Sequence, residues 1–159
     1  MKFTDLNLSE DIQSAVVAAG FEKPSPIQEL TIPLALEGKD VIGQAQTGTG
    51  KTAAFGLPTL DKIRTEENTI QALVIAPTRE LAVQSQEELF RFGRDKGVKV
   101  RSVYGGSSIS SASSKIKVSM LLSLRALRLI RSRRRPGVPT TMWAPERRAL
   151  ICFSMLEPP

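Results

Sequence analysis

The chain has 159 residues, 41% of them hydrophobic, which is enough to bury one core and build one domain. A single cysteine, Cys152, excludes an internal disulfide, and the lack of histidine excludes histidine-based acid–base catalysis and histidine metal sites. The first residues lack the apolar segment of a signal peptide, and no apolar run reaches membrane-spanning length. We therefore expect a cytoplasmic protein with no membrane partner.

The net charge of +6 is distributed unevenly along the chain. Residues 1–109 carry 12 Lys and Arg against 14 Asp and Glu, a net charge of −2. Residues 110–159 carry 10 Lys and Arg against 2 Asp and Glu, a net charge of +8. A basic segment of this kind is typical of nonspecific nucleic-acid binding.

Two helices are predicted near the amino terminus. Ser9 is a typical N-cap, and the apolar residues after it keep helical spacing up to Gly20. Ser25 and Gln28 have the spacing of a capping box, which predicts a second helix ending near Leu36.

The segment AQTGTGKT, residues 45–52, has the pattern of a phosphate-binding loop between a strand and a helix. Small residues let successive backbone N–H groups point at anionic oxygens, while Lys51 supplies a positive charge and the Thr52 hydroxyl can hold magnesium. The first position of the pattern is Ala45 instead of glycine, and the alternative is a glycine-rich turn that binds no ligand. The residues assigned to the phosphate site are Ala45, Gln46, Thr47, Gly48, Thr49, Gly50, Lys51 and Thr52.

Strand and helix patterns alternate between residues 40 and 106. Val41–Gln44 and Ala72–Ala76 predict buried strands, and Val98–Tyr104 predicts a half-buried strand. Helices are predicted after the phosphate loop and from Thr78 to Phe92. This β-α-β-α-β order predicts an α/β fold, a parallel sheet with flanking helices, with the ligand beyond the carboxyl ends of the strands.

Residues 110–159 have a different composition from the rest of the chain. They contain no Asp, Asn, Gln or Tyr and are enriched in Leu, Ser and Arg, the residues with the most codons. We therefore expect a basic, frame-shifted and mostly disordered tail. Within it, Val118–Arg135 could form a basic helix whose apolar residues cover most of its circumference.

Several motifs in order resemble those of the DEAD-box ATP-dependent RNA helicases of bacteria. GFEKPSPIQ at residues 20–28 is similar to the Q motif of that family, and Phe3 lies where the family has an isolated upstream aromatic residue. The loop at residues 45–52 matches the family's phosphate loop, in which Ala at the first position is usual. PTRELA at residues 77–82 and the pair Gly105-Gly106 match two further motifs. The resemblance implies a P-loop (RecA-like) domain and covers residues 1–109 only.

The resemblance implies an ATP site that includes the Q motif. Gln28 would hydrogen-bond the edge of adenine, Phe3 would stack on the ring, and Phe21 belongs to the same motif. Magnesium would accompany the nucleotide at Thr52. Without the resemblance, Gln28 is explained by the capping box alone and Phe3 by packing on the first helix.

The resemblance also implies contacts to the phosphate backbone of single-stranded RNA. These contacts would be weak and independent of sequence. Without the resemblance, Thr78 is an ordinary N-cap and Arg79 a solvated charge. The residues assigned to RNA are Pro77, Thr78, Arg79, Gly105 and Gly106.

Other family motifs are missing from this sequence. No Asp follows Asp95, so the DEAD tetrapeptide is absent, as are the SAT and TPGR motifs and the second RecA-like domain. We therefore expect a truncated chain with a Q-motif region (1–39), a partial ATP-binding domain (40–109) and a tail outside the family (110–159). The candidate functions are an active ATPase or helicase, a non-catalytic nucleotide- and RNA-binding module, and an unstable, pseudogene-like fragment.

Overall fold

The computed structural model describes residues 2–67, 70–104, 120–123 and 151–154. The helices and strands predicted up to residue 104 are present, although the second and third strands are shorter than predicted. In chain order the elements are a 3₁₀ turn at Phe3–Leu6, α1 at Glu10–Ala18, α2 at Pro26–Leu36, β1 at Val41–Gln44, α3 at Lys51–Lys62, β2 at Ala72–Val74, α4 at Arg79–Gly93, β3 at Val100–Val103, β4 at Met120–Ser123 and β5 at Ile151–Ser154.

All strand pairs among the described residues are parallel, as the alternation of strands and helices predicts. The strands form a two-stranded sheet with the order β1-β5 and a three-stranded sheet with the order β2-β4-β3. In the first sheet Val41 is paired with Ile151, and in the second Met120 is paired with both Ala72 and Val100. The prediction of an α/β fold with parallel strands and flanking helices is therefore confirmed.

Strands β4 and β5 lie in the segment that the sequence assigned to a basic tail. Within Val118–Arg135, which could form a basic helix, Met120–Ser123 instead form the central strand of a sheet. A short, continuous apolar run suits a strand that is paired on both sides, and periodicity alone does not separate it from a buried helix. The remainder of residues 110–159, with its predicted frame shift and disorder, lies outside the described residues.

Helices α3 and α4 pack closely against each other in the core. Leu60 and Leu89 are fully buried. A Cβ atom on Gly56 would lie 2.2 Å from the Cδ2 atom of Leu89, and one on Gly93 would lie 2.9 Å from the Cδ2 atom of Leu60. Each helix therefore places a glycine opposite a leucine of the other, which fixes the position of α3 and of the loop that precedes it.

Lysine side chains stabilise the carboxyl ends of two helices. The Lys96 Nζ atom donates a hydrogen bond of 3.0 Å to the carbonyl of Leu60 and another to the carbonyl of Asp61, at the end of α3. The Lys62 Nζ atom donates one of 2.6 Å to the carbonyl of Ala35, at the end of α2. A positive charge at these ends also interacts favourably with the helix dipole. None of the helices in the described residues is both long and apolar enough to cross a membrane.

We predict that Lys96→Met lowers the free energy of unfolding by about 1 kcal/mol, because the last carbonyls of α3 lose a charged donor. Lys99→Met, which changes an exposed lysine three residues away, is the matched control and should have little effect. Urea denaturation followed by circular dichroism measures both values. Equal losses in the two variants would show that Lys96 does not stabilise α3.

Candidate nucleotide-binding site

The phosphate loop lies between the carboxyl end of β1 and the start of α3. Helix α3 begins after Gly50, and within the described residues no side chain caps its amino terminus. The first N–H groups of a helix have no partner inside the helix, and the helix dipole favours negative charge at this end. This end of α3 therefore suits the phosphates of a nucleotide.

Lys51 holds the loop closed through the loop's own carbonyl groups. Its side chain is buried, and its Nζ atom donates hydrogen bonds to the carbonyls of Ala45 and Gln46, the latter at 2.8 Å. The Thr49 hydroxyl also donates to the carbonyl of Gln46, at 2.8 Å. The ammonium group thus uses its donors within the loop, and phosphate oxygens can take the place of these carbonyls.

The start of α2 is bonded directly to the phosphate loop. The Ser25 hydroxyl donates to the carbonyl of Thr49 at 2.8 Å, and the Gln28 Nε2 atom donates to the carbonyl of Gly50 at 3.0 Å. The Gln28 Oε1 atom accepts from the Ser25 backbone N–H at 2.9 Å, so the predicted capping box is present. The sequence did not single out Ser25 as a residue of the site, although its position in the Q motif was available as a signal.

Gln28 is almost completely enclosed, with 1% of its surface exposed. An amide group has two N–H donors and two acceptor lone pairs, and the bonds to Ser25 and Gly50 use one of each. One donor and one acceptor remain, the pair needed to hydrogen-bond the edge of adenine. A base can reach them only when the surrounding residues move.

Of the two aromatic residues assigned to adenine, Phe3 is buried and Phe21 is partly buried against the core. Phe3 is 3% exposed, and its ring meets that of Phe21 edge-on, with centroids 6.2 Å apart and planes at 88°. Phe21 in turn contacts Phe92 of α4, with centroids 5.7 Å apart. Phe3 therefore packs against other side chains, as expected without the family resemblance. Its stacking on adenine stays a prediction.

Thr52 forms a contact that the sequence did not indicate. Its hydroxyl donates a hydrogen bond to the carboxylate of Glu88 on α4. Burial raises the pKa of the Glu88 carboxyl, and this hydrogen bond and the charge of Arg91 partly offset the effect. The Thr52 oxygen also has lone pairs that a metal ion can use.

Carboxylates are scarce around the loop. No group of three or more His, Cys, Asp and Glu side chains that could hold a metal occurs in the part of the chain that the structure describes. Strand β5, which pairs with β1, has the sequence ICFS and carries no acidic residue. A metal ion here would therefore depend on Thr52, on Glu88 beside it and on the nucleotide's own oxygens.

Three of the residues assigned to RNA lie between the carboxyl end of β2 and the start of α4. Pro77, Thr78 and Arg79 are exposed, and the Thr78 hydroxyl caps α4 by accepting a 3.3 Å hydrogen bond from the Leu81 N–H. The Arg79 guanidinium lies over the ring of Tyr104, with its Cζ atom 4.2 Å from the ring centroid. Gly105 and Gly106, which follow Tyr104, lie outside the described residues.

A family model for DEAD/DEAH box helicases matches residues 25–135. This span includes α2, the phosphate loop, α4 and β4, and so covers well over half of the chain. The chain belongs to the DEAD/DEAH box helicase family. The match also extends into the basic segment, beyond the end of the motifs that the sequence revealed.

Relatives and solved structures agree with this assignment. The DEAD-box ATP-dependent RNA helicase CshA of Streptococcus pneumoniae is 84% identical over 109 residues, which are 69% of this chain and 21% of that protein. A DEAD box protein from Methanococcus jannaschii has a TM-score of 0.76 at 35% identity, over 83% of this chain and 37% of that one. Dbp5 of S. cerevisiae, bound to RNA and ADP BeF3, has a TM-score of 0.78 at 25% identity, over 99% of this chain and 47% of that one. The DEAD-box chain described here thus spans about a fifth of the length of its curated relative.

We predict that Gly50→Ala destabilises this DEAD-box chain more than Gly48→Ala does. Both glycines have a φ of +78°, which costs a residue with a side chain about 1–2 kcal/mol. At Gly50 a Cβ atom would also lie 2.3 Å from the Gln28 Nε2 atom, whereas at Gly48 nothing lies within 4 Å. Urea denaturation of the two variants measures the difference.

The same comparison in a Gln28→Ala background shows whether the difference comes from the bond between α2 and the loop. Gln28→Ala removes the atom that the new Cβ would meet, so the two alanine variants should then lose similar stability. A difference that persists in this background would mean that Gln28 is not its cause.

Proposed function

We propose that residues 1–159 bind ATP, with magnesium, and single-stranded RNA, and that on their own they do not hydrolyse ATP or unwind RNA. The proposal of ATP binding is supported by the phosphate loop at the uncapped start of α3, with Lys51 directed into it. This arrangement supplies backbone N–H donors, a helix dipole and a positive charge at one point, which is what a polyphosphate requires.

From the resemblance to the family, we propose a contact in this site for each part of the nucleotide. Gly48, Gly50 and the first turn of α3 would contact the phosphates, and Lys51 would exchange its carbonyl partners for phosphate oxygens. Thr52 would hold the magnesium with an oxygen lone pair while its hydroxyl donates a hydrogen bond to Glu88. Gln28 would contact adenine with the amide N–H and the oxygen lone pair that are not used in its bonds to Ser25 and Gly50.

The proposed RNA contacts follow from the exposed residues beside the start of α4. Arg79 and the backbone around Thr78 would bind phosphates and carry affinity without reading the base sequence. The similar Dbp5 structure has RNA bound together with ADP BeF3, which supports RNA as a second ligand beside the nucleotide. Residues 110–159 would add nonspecific, salt-dependent attraction through their net charge of +8.

The proposed lack of hydrolysis rests on the chemistry of phosphoryl transfer. Binding the ground state and the transition state equally well does not speed a reaction, so a phosphate loop alone is insufficient. P-loop enzymes also use an acidic residue on a neighbouring strand for magnesium and an arginine for the transition state. In this chain β5 has no acidic residue, and only Glu146 and Glu157 follow Asp95 among the acids.

A second candidate function is the complete activity of the relatives, which are named ATP-dependent RNA helicases. Glu88 is the observation that favours it, because this carboxylate already contacts Thr52 and could support the metal. One carboxylate does not do the work of a transition-state arginine, which contributes about 10³–10⁵ in rate in related enzymes. We therefore favour binding without turnover.

We predict that the chain binds labelled ATP more tightly than GTP and that Lys51→Ala weakens ATP binding about 10- to 100-fold. The range corresponds to about 1.5–3 kcal/mol for hydrogen bonds to charged groups. Lys39→Ala, which changes an exposed lysine just before β1, is the matched control. Equal affinity for ATP and GTP in the unmodified chain would argue against adenine recognition by Gln28. Equal ATP affinity in both lysine variants would argue against the phosphate site.

We also predict that phosphate release from ATP stays at background with or without single-stranded RNA. The assay includes Lys51→Ala to expose a contaminating ATPase, because a genuine activity of this chain must depend on that lysine. Turnover that RNA stimulates and Lys51→Ala abolishes would prove the proposal of binding without hydrolysis wrong.

A further inference from the structure

Arg79 and Tyr104 form a stacked pair between two elements that are far apart in the sequence. Arg79 is the first residue of α4, and Tyr104 directly follows β3. The Arg79 Cζ atom lies 4.2 Å from the centroid of the Tyr104 ring, well within the range in which a guanidinium is attracted to an aromatic face.

Arg79 occupies a position that is electrostatically unfavourable within its own helix. The amino end of a helix carries a partial positive charge, which repels a cation. Within residues 2–67 and 70–104, Arg79 forms no ion pair with a carboxylate. The Tyr104 ring therefore supplies the local attraction that holds the guanidinium in place.

Stacking on Tyr104 leaves the N–H donors of the Arg79 guanidinium available. The N–H donors of arginine lie in the plane of the group, while the ring of Tyr104 covers one face of that plane. The donors along the edge match the oxygens of a phosphate and can bind two of them together. The pair also lies beside the amino end of α4, which favours an anion.

The backbone around the pair is held by a separate contact. The Ser102 N–H donates a 2.7 Å hydrogen bond to the Gln86 Oε1 atom, which connects β3 to the second turn of α4. The distance between the start of α4 and the end of β3 is therefore fixed independently of Arg79 and Tyr104. Substitutions in the pair should change the direction of the arginine without moving the two elements apart.

We infer that Tyr104 is a positioning residue, which holds the Arg79 guanidinium in the orientation that binds a backbone phosphate of single-stranded RNA. This inference rests on the proposed RNA contact of Arg79. It assigns the tyrosine an indirect role, because the ring acts on RNA through the arginine.

A double-mutant cycle tests the inference by fluorescence anisotropy with a labelled single-stranded RNA at several salt concentrations. Tyr104→Leu should weaken binding about 2- to 5-fold, the loss expected from an exposed cation–π contact. Arg79→Gln should weaken binding further and reduce the salt slope by about one, as loss of one phosphate contact does. Adding Tyr104→Leu to Arg79→Gln should then change nothing, and Tyr104→Phe should bind like the unmodified chain.

The chain has one tyrosine, so a spectroscopic signal can be read from this site alone. Incorporating 3-fluorotyrosine gives a single ¹⁹F resonance from Tyr104. Arg79→Gln should shift this resonance, whereas Arg101→Gln, an exposed arginine on β3, should leave it in place. The shift reports whether the ring and the guanidinium are in contact in solution, while the double-mutant cycle reports whether that contact serves RNA binding.

Additive effects of Tyr104→Leu and Arg79→Gln on RNA affinity would overturn the inference, as would a Tyr104→Phe variant that is as weak as Tyr104→Leu. An unshifted resonance in Arg79→Gln would overturn it as well. A different result separates the two proposals: if Arg79→Gln leaves both RNA affinity and the salt slope unchanged, the proposed RNA contact itself is wrong, and the role of Tyr104 falls with it.

Discussion

The candidate site depends on one buried amide. Gln28 accepts a hydrogen bond from the start of its own helix and donates one to the carbonyl of Gly50, where α3 begins. A buried polar group that loses its partner costs about 1–3 kcal/mol, so α2 and the phosphate loop cannot separate without a penalty. Helix α3 also packs closely on α4, which begins at Arg79 and is capped by Thr78. The position of these two residues therefore depends indirectly on the same contact.

Local signals in the sequence predicted most of the fold. The capping box at Ser25 and Gln28 involves residues three positions apart, and the alternation of strand and helix patterns gave the α/β class. The strand at Met120–Ser123 was missed because a short apolar run has no periodicity that separates strand from helix. The pairing partners on both sides decide its structure, and these are distant in the sequence.

Contacts between residues that are distant in the sequence also limit what could be predicted about the nucleotide site. The phosphate loop could be predicted because its chemistry is concentrated in consecutive residues, from Ala45 to Thr52. The bond between Gln28 and Gly50, the bond between Thr52 and Glu88, and the burial of Phe3 depend on how helices pack. Such contacts join residues whose spacing in the sequence carries no pattern, so only the folded chain reveals them.

The bonds between Lys51 and its own loop have a consequence for how tightly the site binds an anion. The carbonyls of Ala45 and Gln46 act as an internal competitor, since any ligand must displace them from the ammonium group. The apparent affinity is the intrinsic affinity reduced by the fraction of molecules in which the loop is open. A lone phosphate has few contacts with which to offset this competition, whereas a polyphosphate reaches the start of α3 and the lysine at once. Self-occupation of the lysine thus lowers the affinity of every anion by the same factor, and a ligand with few contacts retains the least binding.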